Sequence, residues 1–211
     1  MRNRVKIFAY LLVLMAFSSA RADALVDYFR AVHLDDERTV SRLLAQGFDP
    51  NSTNEKGQNG LFIAMRDEAP KVAALLMGHP QIRIDQTNQS NETPLMMAAL
   101  RGHLALAEQL LAKGAALNRA GWTPLHYAAS GPESRMVVML LARGAVVDAP
   151  SPNRTTALMM AARYGTEDAV DALLARGASL QARNEAGLGP VDFARLAGRD
   201  ALARRLEQAA R

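Results

Sequence analysis

The chain has 211 residues, 49% of them hydrophobic, no cysteine, and 25 Lys+Arg against 21 Asp+Glu. Lack of cysteine excludes disulfides and any thiolate nucleophile or thiolate metal ligand. Four of the cations (Arg2, Arg4, Lys6, Arg21) lie in the first 22 residues, which hold no acid, so from residue 23 onward 21 cations face 21 anions. A net charge near zero gives no general attraction to phosphates, and no nucleic-acid partner is expected.

In chain order the first predicted element is a signal peptide over 1–22. A basic start is followed by an almost wholly apolar run from Ile7 to Phe17, and Ala20-Arg21-Ala22 supplies the small-x-small pattern of a cleavage site. The mature chain is expected to begin at Asp23, in the periplasm, with no membrane contact once the leader is removed; an uncleaved anchor is the alternative. The apolar run is shorter than the roughly 20 residues of a spanning helix.

Next comes an N-terminal cap over 23–53, ending in Leu43-Leu44 and Gly47. Internal repetition dominates everything after it. Thr93-Pro94-Leu95, Thr123-Pro124-Leu125 and Thr156-Ala157-Leu158 each precede an Ala-Ala pair, and 17 residues separate each Thr from Leu110, Leu140 and Leu173 respectively. Counting the equivalent positions Asn59, Thr93, Thr123, Thr156 and Gly189 gives steps of 34, 30, 33 and 33 residues. Repeats are therefore expected at about 54–86, 87–118, 119–149 and 150–182, with a C-terminal cap at 183–211.

Each recurrent residue has a physical task. Thr accepts a backbone N–H at the start of a first helix, and Pro fills a position whose N–H would be unpaired anyway. The alanine pairs allow close helix approach. Leu-Leu, with Val137, Val138 or Val170 before it, buries a second helix against its neighbour, and Gly47, Gly114, Gly144 and Gly177 end that helix. One pair of short helices cannot enclose a core, so stability has to come from stacking.

These units resemble the ankyrin family. The resemblance is carried by Gly-Trp-Thr-Pro-Leu-His-Tyr-Ala-Ala at 121–129, by Gly102-His103, and by Leu-Leu-Ala-x-Gly-Ala at 110–115, 140–145 and 173–178. It implies an all-α ankyrin-repeat solenoid of paired antiparallel helices with projecting hairpin loops, about six units with the caps, and a function in protein binding. His103 and His126 fall on motif positions where the family uses histidine for hydrogen bonds within and between repeats.

Departures from the pattern predict local shape. Only 5 residues separate Asn118 from Thr123, against 8 from Asp85 to Thr93 and from Asp148 to Thr156, so this finger should be blunt. His79-Pro80 stands where Gly-Ala is expected, and Leu75 to Asp85 is 10 residues, which predicts a bulged connection. Pro132 replaces a glycine at a helix turn.

Nothing in the sequence assembles a catalytic site. No two of His33, His79, His103 and His126 are spaced for a metal on one helix face, and there is no nucleophile elbow or phosphate loop. His33 and His79 are expected in turns, Asp35-Asp36-Glu37 and Asp67-Glu68 as solvated charge, and Met96-Met97 and Met159-Met160 in the core, with a soft, adaptable binding surface as the alternative for the methionines. No enzyme activity, cofactor or metal is expected.

The candidate protein-binding residues occupy positions the family leaves variable: Arg66, Gln89, Ser90, Glu92, Arg101, Trp122, Arg154, Arg163, Tyr164 and Arg195; Leu100 and Ser130 hold further variable positions. Trp122, the sole tryptophan, lies on the blunt finger, where it either anchors a partner or packs on the loop. A row of Arg66, Arg101, Arg163 and Arg195 at equivalent places would make the groove basic and favour a partner with an acidic surface. A monomeric scaffold or accessory factor is expected, with an immunity-type inhibitor of a toxin or envelope enzyme as the alternative.

Overall fold

The structure is a computed structural model that describes residues 22–211. The expected leader, Ala22 apart, lies outside the described residues. Those residues form twelve helices and no strand; the sole β-type pairing among them is an isolated bridge between Thr53 and Asn59. They fall into two compact units, divided after Ile82.

The first unit contains α1 (22–33), α2 (Glu37–Ala45), α3 (Gly60–Asp67) and α4 (Pro70–Gly78). Tyr28 on α1 is its anchor, fully buried against the Phe48 ring at 4.6 Å and donating its hydroxyl to the Pro50 carbonyl at 3.2 Å. Burial, with Asp49 nearby, pushes this hydroxyl well above the ordinary tyrosine range. Gly60 opens α3 beside it, where a Cβ would overlap the Tyr28 hydroxyl.

Two of the three adjacent acids expected to be solvated are helix caps instead. Asp36 accepts the Thr39 N–H at the start of α2, and Asp35 accepts the Val72 N–H in the first turn of α4. Carboxylates are favoured there because helix N-terminal amides lack partners and carry partial positive charge. His33 is also not in a turn. It is the last residue of α1, and its Nδ1 lies 2.5 Å from an Asp67 carboxylate oxygen.

The second unit contains α5 (Pro94–Arg101), α6 (Leu104–Ala112), α7 (Pro124–Ser130), α8 (Ser134–Ala142), α9 (Ala157–Tyr164), α10 (Glu167–Ala175), α11 (Pro190–Leu196) and α12 (Asp200–Ala209). The first helices of its repeats stack in order, α5 on α7, α7 on α9 and α9 on α11, while short turns fold each second helix back onto its partner. The alanine pairs 98–99, 128–129 and 161–162 are at most 1% exposed, as close approach requires.

Leu110, Leu140 and Leu173 are all fully buried, and each contributes about 1.5–3 kcal/mol relative to exposure. In the first unit the 17-residue spacing from Asn59 lands on Leu76, also fully buried. Val137 and Val170 join this core, but Val138 points outward and is half exposed. After α6, Gly114 at φ 89° lets the Ala115 N–H reach the Leu110 carbonyl and the Gly114 N–H reach that of Leu111. This closure recurs at Gly47, Gly144 and Gly177. Where His79 replaces glycine after α4, the backbone turns outward at ψ 130° and needs an additional turn, with the Ile82 N–H donating to the His79 carbonyl.

Candidate protein-binding surface

The loops before the first helices follow one plan with one exception. At 54–58, 88–92, 151–155 and 184–188 the first residue donates its N–H to the carbonyl four residues on. A side-chain oxygen of the same residue, from Asn54, Asn88, Ser151 or Asn184, accepts the N–H of that fourth residue. The residue two before each helix cap is left-handed: Gly57, Asn91, Arg154 and Gly187. Arg154, at φ 63°, holds this conformation although a Cβ disfavours it.

The shortened finger keeps the left-handed position, as Gly121 at φ 86°, but 117–122 runs as bends without the hydrogen-bonded tip. Its neighbours hold it. The Asn118 side chain donates to the Gly144 carbonyl and accepts the Val146 N–H, and Arg119 donates to the Asn91 side chain. Asp85 and Asp148 make the equivalent links, to the N–H groups of Ala116 and Ser179.

His126 joins this finger to the next one. Its Nδ1 accepts the Thr123 N–H at 3.2 Å and meets the Thr123 hydroxyl at 2.9 Å, so the proton sits on Nε2, which donates to the Thr155 carbonyl at 2.9 Å. Burial pushes this imidazole below its ordinary range, and the bond to Thr155 only partly opposes it. Met96 takes the same place in the repeat before, its sulfur 3.4 Å from the Thr93 nitrogen. Met96, Met97 and Met159 are buried as expected.

Met160 is not fully buried, because α5, α7 and α9 leave a hollow of about 250 Å³ lined by Leu100, Trp122, His126, Tyr127, Ser130 and Met160. Trp122 stands edge-on to the His126 ring at 5.2 Å. The Tyr127 hydroxyl donates to Glu92 at 2.9 Å, and burial followed by this carboxylate raises it well above the ordinary tyrosine range. Leu100, Trp122 and Ser130 hold positions that sequence reasoning marked as variable. It missed Tyr127, favoured the core over a binding surface for Met160, and gave His126 to the hydrogen bonds that it makes.

The other candidates are scattered. Gln89, Ser90 and Arg154 are exposed on fingertips, while Glu92 is half buried between Tyr127 and Asn88. Tyr164 is 57% exposed, with the Arg163 guanidinium 5.1 Å from its ring centre. The expected row of four arginines is not in register. Arg66 and Arg163 lie seven residues after their helix caps, but Arg101 lies eight and Arg195 six. One residue turns a helix by about 100°, so these side chains leave in different directions. Two are also neutralised locally: Arg66 grips Asp67 through both carboxylate oxygens, and Arg195 pairs with Glu207. Asp67 is accordingly held below the usual carboxylate range, by Arg66 first and then by His33.

Among the described residues no cluster of His, Asp or Glu is placed to hold a metal, and no helix is long and apolar enough to cross a membrane. The first unit has an open groove of about 730 Å³ between α1, the 53–58 finger and Arg66.

A family model described as ankyrin repeats (3 copies) matches residues 29–120 and 116–184. The chain is 32% identical over 187 residues to the tyrosine-protein kinase Shark of Drosophila melanogaster, covering 85% of this chain and 20% of Shark. It is 30% identical over 166 residues to protein glp-1 of Caenorhabditis elegans, covering 71% of this chain and 12% of glp-1. A putative ankyrin repeat protein of Rickettsia felis is 34% identical over 120 residues, 53% of this chain and 52% of that protein. The chain thus spans a fifth or less of the first two and about half of the third. Among solved structures, it is similar to a chain of the complex of a predatory endopeptidase from Bdellovibrio bacteriovorus with an immunity protein. That match has a TM-score of 0.73 and 25% identity, covering 86% of this chain and 97% of the other.

Proposed function

This chain belongs to the ankyrin-repeat family, and on that premise we propose that it is a non-catalytic protein-binding scaffold or accessory factor of the bacterial periplasm. One observation carries the binding function. The repeating residues are consumed by the core and by loop closure, whereas the variable ones line an open apolar hollow and the fingertips around it. Burying interior positions in a fixed frame leaves the remaining positions free to suit a partner. The periplasmic assignment rests on the basic start and apolar run of the first 22 residues.

Affinity capture from periplasmic extract with wild type and Trp122→Ala tests this function. A specific protein retained by wild type and retained at least tenfold less by Trp122→Ala is expected. Equal retention of the same proteins by an unrelated ankyrin-repeat domain counts against it.

Likeness to a chain of an endopeptidase–immunity protein complex favours a second reading, that of an immunity-type inhibitor. Such an inhibitor binds one enzyme 1:1 and abolishes its activity at equal concentration. A scaffold leaves its partner active, so assaying the captured protein with and without this chain separates the two.

A further inference from the structure

We propose that the hollow between α5, α7 and α9 receives one bulky apolar side chain, an aromatic ring or a leucine, from a partner segment whose neighbouring residues are acidic. This rests on the binding function above and adds what the partner must present.

The walls argue for an apolar occupant. Leu100, Met160 and the faces of Trp122 and Tyr127 supply most of the lining. The polar groups among them are engaged elsewhere: His126 by Thr123 and Thr155, the Tyr127 hydroxyl by Glu92, and the Ser130 hydroxyl by the His126 carbonyl at 2.9 Å. A polar ligand would shed its water and find little in return, whereas an apolar side chain sheds nothing of value. Size agrees. A dry apolar cavity of about 150 Å³ holds a benzene ring, and this hollow of about 250 Å³ is open on one side. Sulfur and ring edges are favourable neighbours for an aromatic group.

The hollow exists because of two local departures. At the seventh position after the helix cap, where Leu100 and Arg163 stand in adjacent repeats, α7 carries the small Ser130. The missing finger residues leave Trp122 on a stretch of bends beside it.

The surroundings argue for acidic flanks. Arg163 lies one helical turn beyond Met160 on α9, at the same position after its cap as Leu100 and Ser130, and Arg119 stands three residues before Trp122. Against them stands the single carboxylate of Glu92, bonded to the neutral Tyr127 and Asn88 side chains, while Glu133 is neutralised by Arg135, which keeps its carboxyl down at about 2. The charge is also regional, since residues 83–211 hold 15 Lys+Arg and 12 Asp+Glu but residues 23–82 hold 6 and 9. Arginines around an apolar centre add on-rate and discrimination in favour of an acidic segment.

Trp122, as the sole tryptophan, reports directly on the hollow. The test titrates the chain with glutamate-rich peptides of eleven residues carrying a central Phe, Leu or Ala, and with a lysine-rich peptide carrying Phe, to millimolar concentration. Trp122 fluorescence and its indole N–H resonance are followed. Saturable changes are expected with the acidic Phe and Leu peptides. Apparent affinity should drop at least fivefold for the Ala peptide, for the lysine-rich peptide, and for Ser130→Leu, a substitution that fills the hollow with a side chain that α5 already carries at this position. No saturable change with acidic Phe, equal response to Phe and Ala, or undiminished binding by Ser130→Leu overturns the proposal. The peptides decide the hollow on their own. A captured partner retained equally by wild type and Ser130→Leu would also overturn it, while leaving protein binding itself intact.

Discussion

The finger leading into α9 closes on itself, whereas the finger leading into α7 is held by what stands on either side of it. Ser151, Asn153 and Thr155 form the first tip, with the Thr155 carbonyl serving both the Ser151 N–H and His126. The second has three residues fewer and relies on the side chains of Asn118 and Arg119. Both deliver the chain to the same helix start, because each keeps the left-handed residue two before the cap. A repeat can therefore lose a loop tip without losing its register, provided side chains of the short finger tie it to the repeats on either side. The freed space is where the hollow and Trp122 are found.

The strongest way to break this arrangement is to spread the helices that carry the two fingers. Gly165, at the turn after α9, has an extended backbone that any residue tolerates, yet a Cβ there would land on the Ala129 carbonyl oxygen of α7. Gly165→Ala should cost about 3 kcal/mol, the upper part of the range for overpacking, as read by chemical denaturation. A loss below about 1 kcal/mol would show that the spacing of α7 and α9 is adjustable.

His126 is the joint between the fingers, and removing it comes next in size. His126→Ala deletes a buried ring and strips the Thr155 carbonyl of its side-chain donor, for a loss of about 2–3 kcal/mol. The loss should depend on pH. Burial holds the folded-state pKa below the unfolded value of about 6.5. The unfolded chain therefore binds a proton first as pH falls, and the stability owed to neutral His126 is complete above about 6.5 and declines below it. The gap between wild type and His126→Gln should narrow from pH 7.5 to pH 5. A constant gap would mean that the imidazole is not buried in its neutral form.

The repeat frame was legible because its residues are tied to burial. Thr93, Thr123, Thr156 and the leucines seventeen residues on recur since every unit must present the same face to its neighbour. The hollow was legible only in part. Leu100, Trp122 and Ser130 stood at variable positions, but Met160 and Tyr127 come to them from other turns and helices, and no linear spacing announces that meeting. Ser130 matters through what it does not fill. The arginine row failed for a related reason, because a shift of one residue is trivial along the chain and a quarter-turn or more around a helix. Asp35 looked like solvated charge, since a cap across 37 residues has no local signature, whereas the Asp36 cap on Thr39 is local and was overlooked within the acidic run.

Loop closure by neighbours should show in a smaller loss. Asn118→Ala removes two hydrogen bonds to the next repeat at an exposed site, for about 1 kcal/mol. It should also increase hydrogen exchange at the Val146 N–H. The matching Asp148→Ala should leave the 151–155 tip protected, because that tip carries its own closure. Equal loosening of both fingers would remove the distinction between them.

The smallest effect concerns Arg154, and its direction is more informative than its size. A left-handed backbone costs an L-residue about 1–2 kcal/mol, and part of that returns to a glycine as greater freedom of the unfolded chain. Arg154→Gly should therefore stabilise the fold by about 0.5 kcal/mol, whereas Gly121→Ala on the short finger should destabilise it through its left-handed backbone, although the added Cβ would make only ordinary contact with Pro152. Two fingers share one backbone conformation, and in the self-closing one the tip bonds hold the strained arginine in place. If Arg154→Gly also weakens capture of the partner, the strain at this exposed fingertip is maintained for what the guanidinium touches.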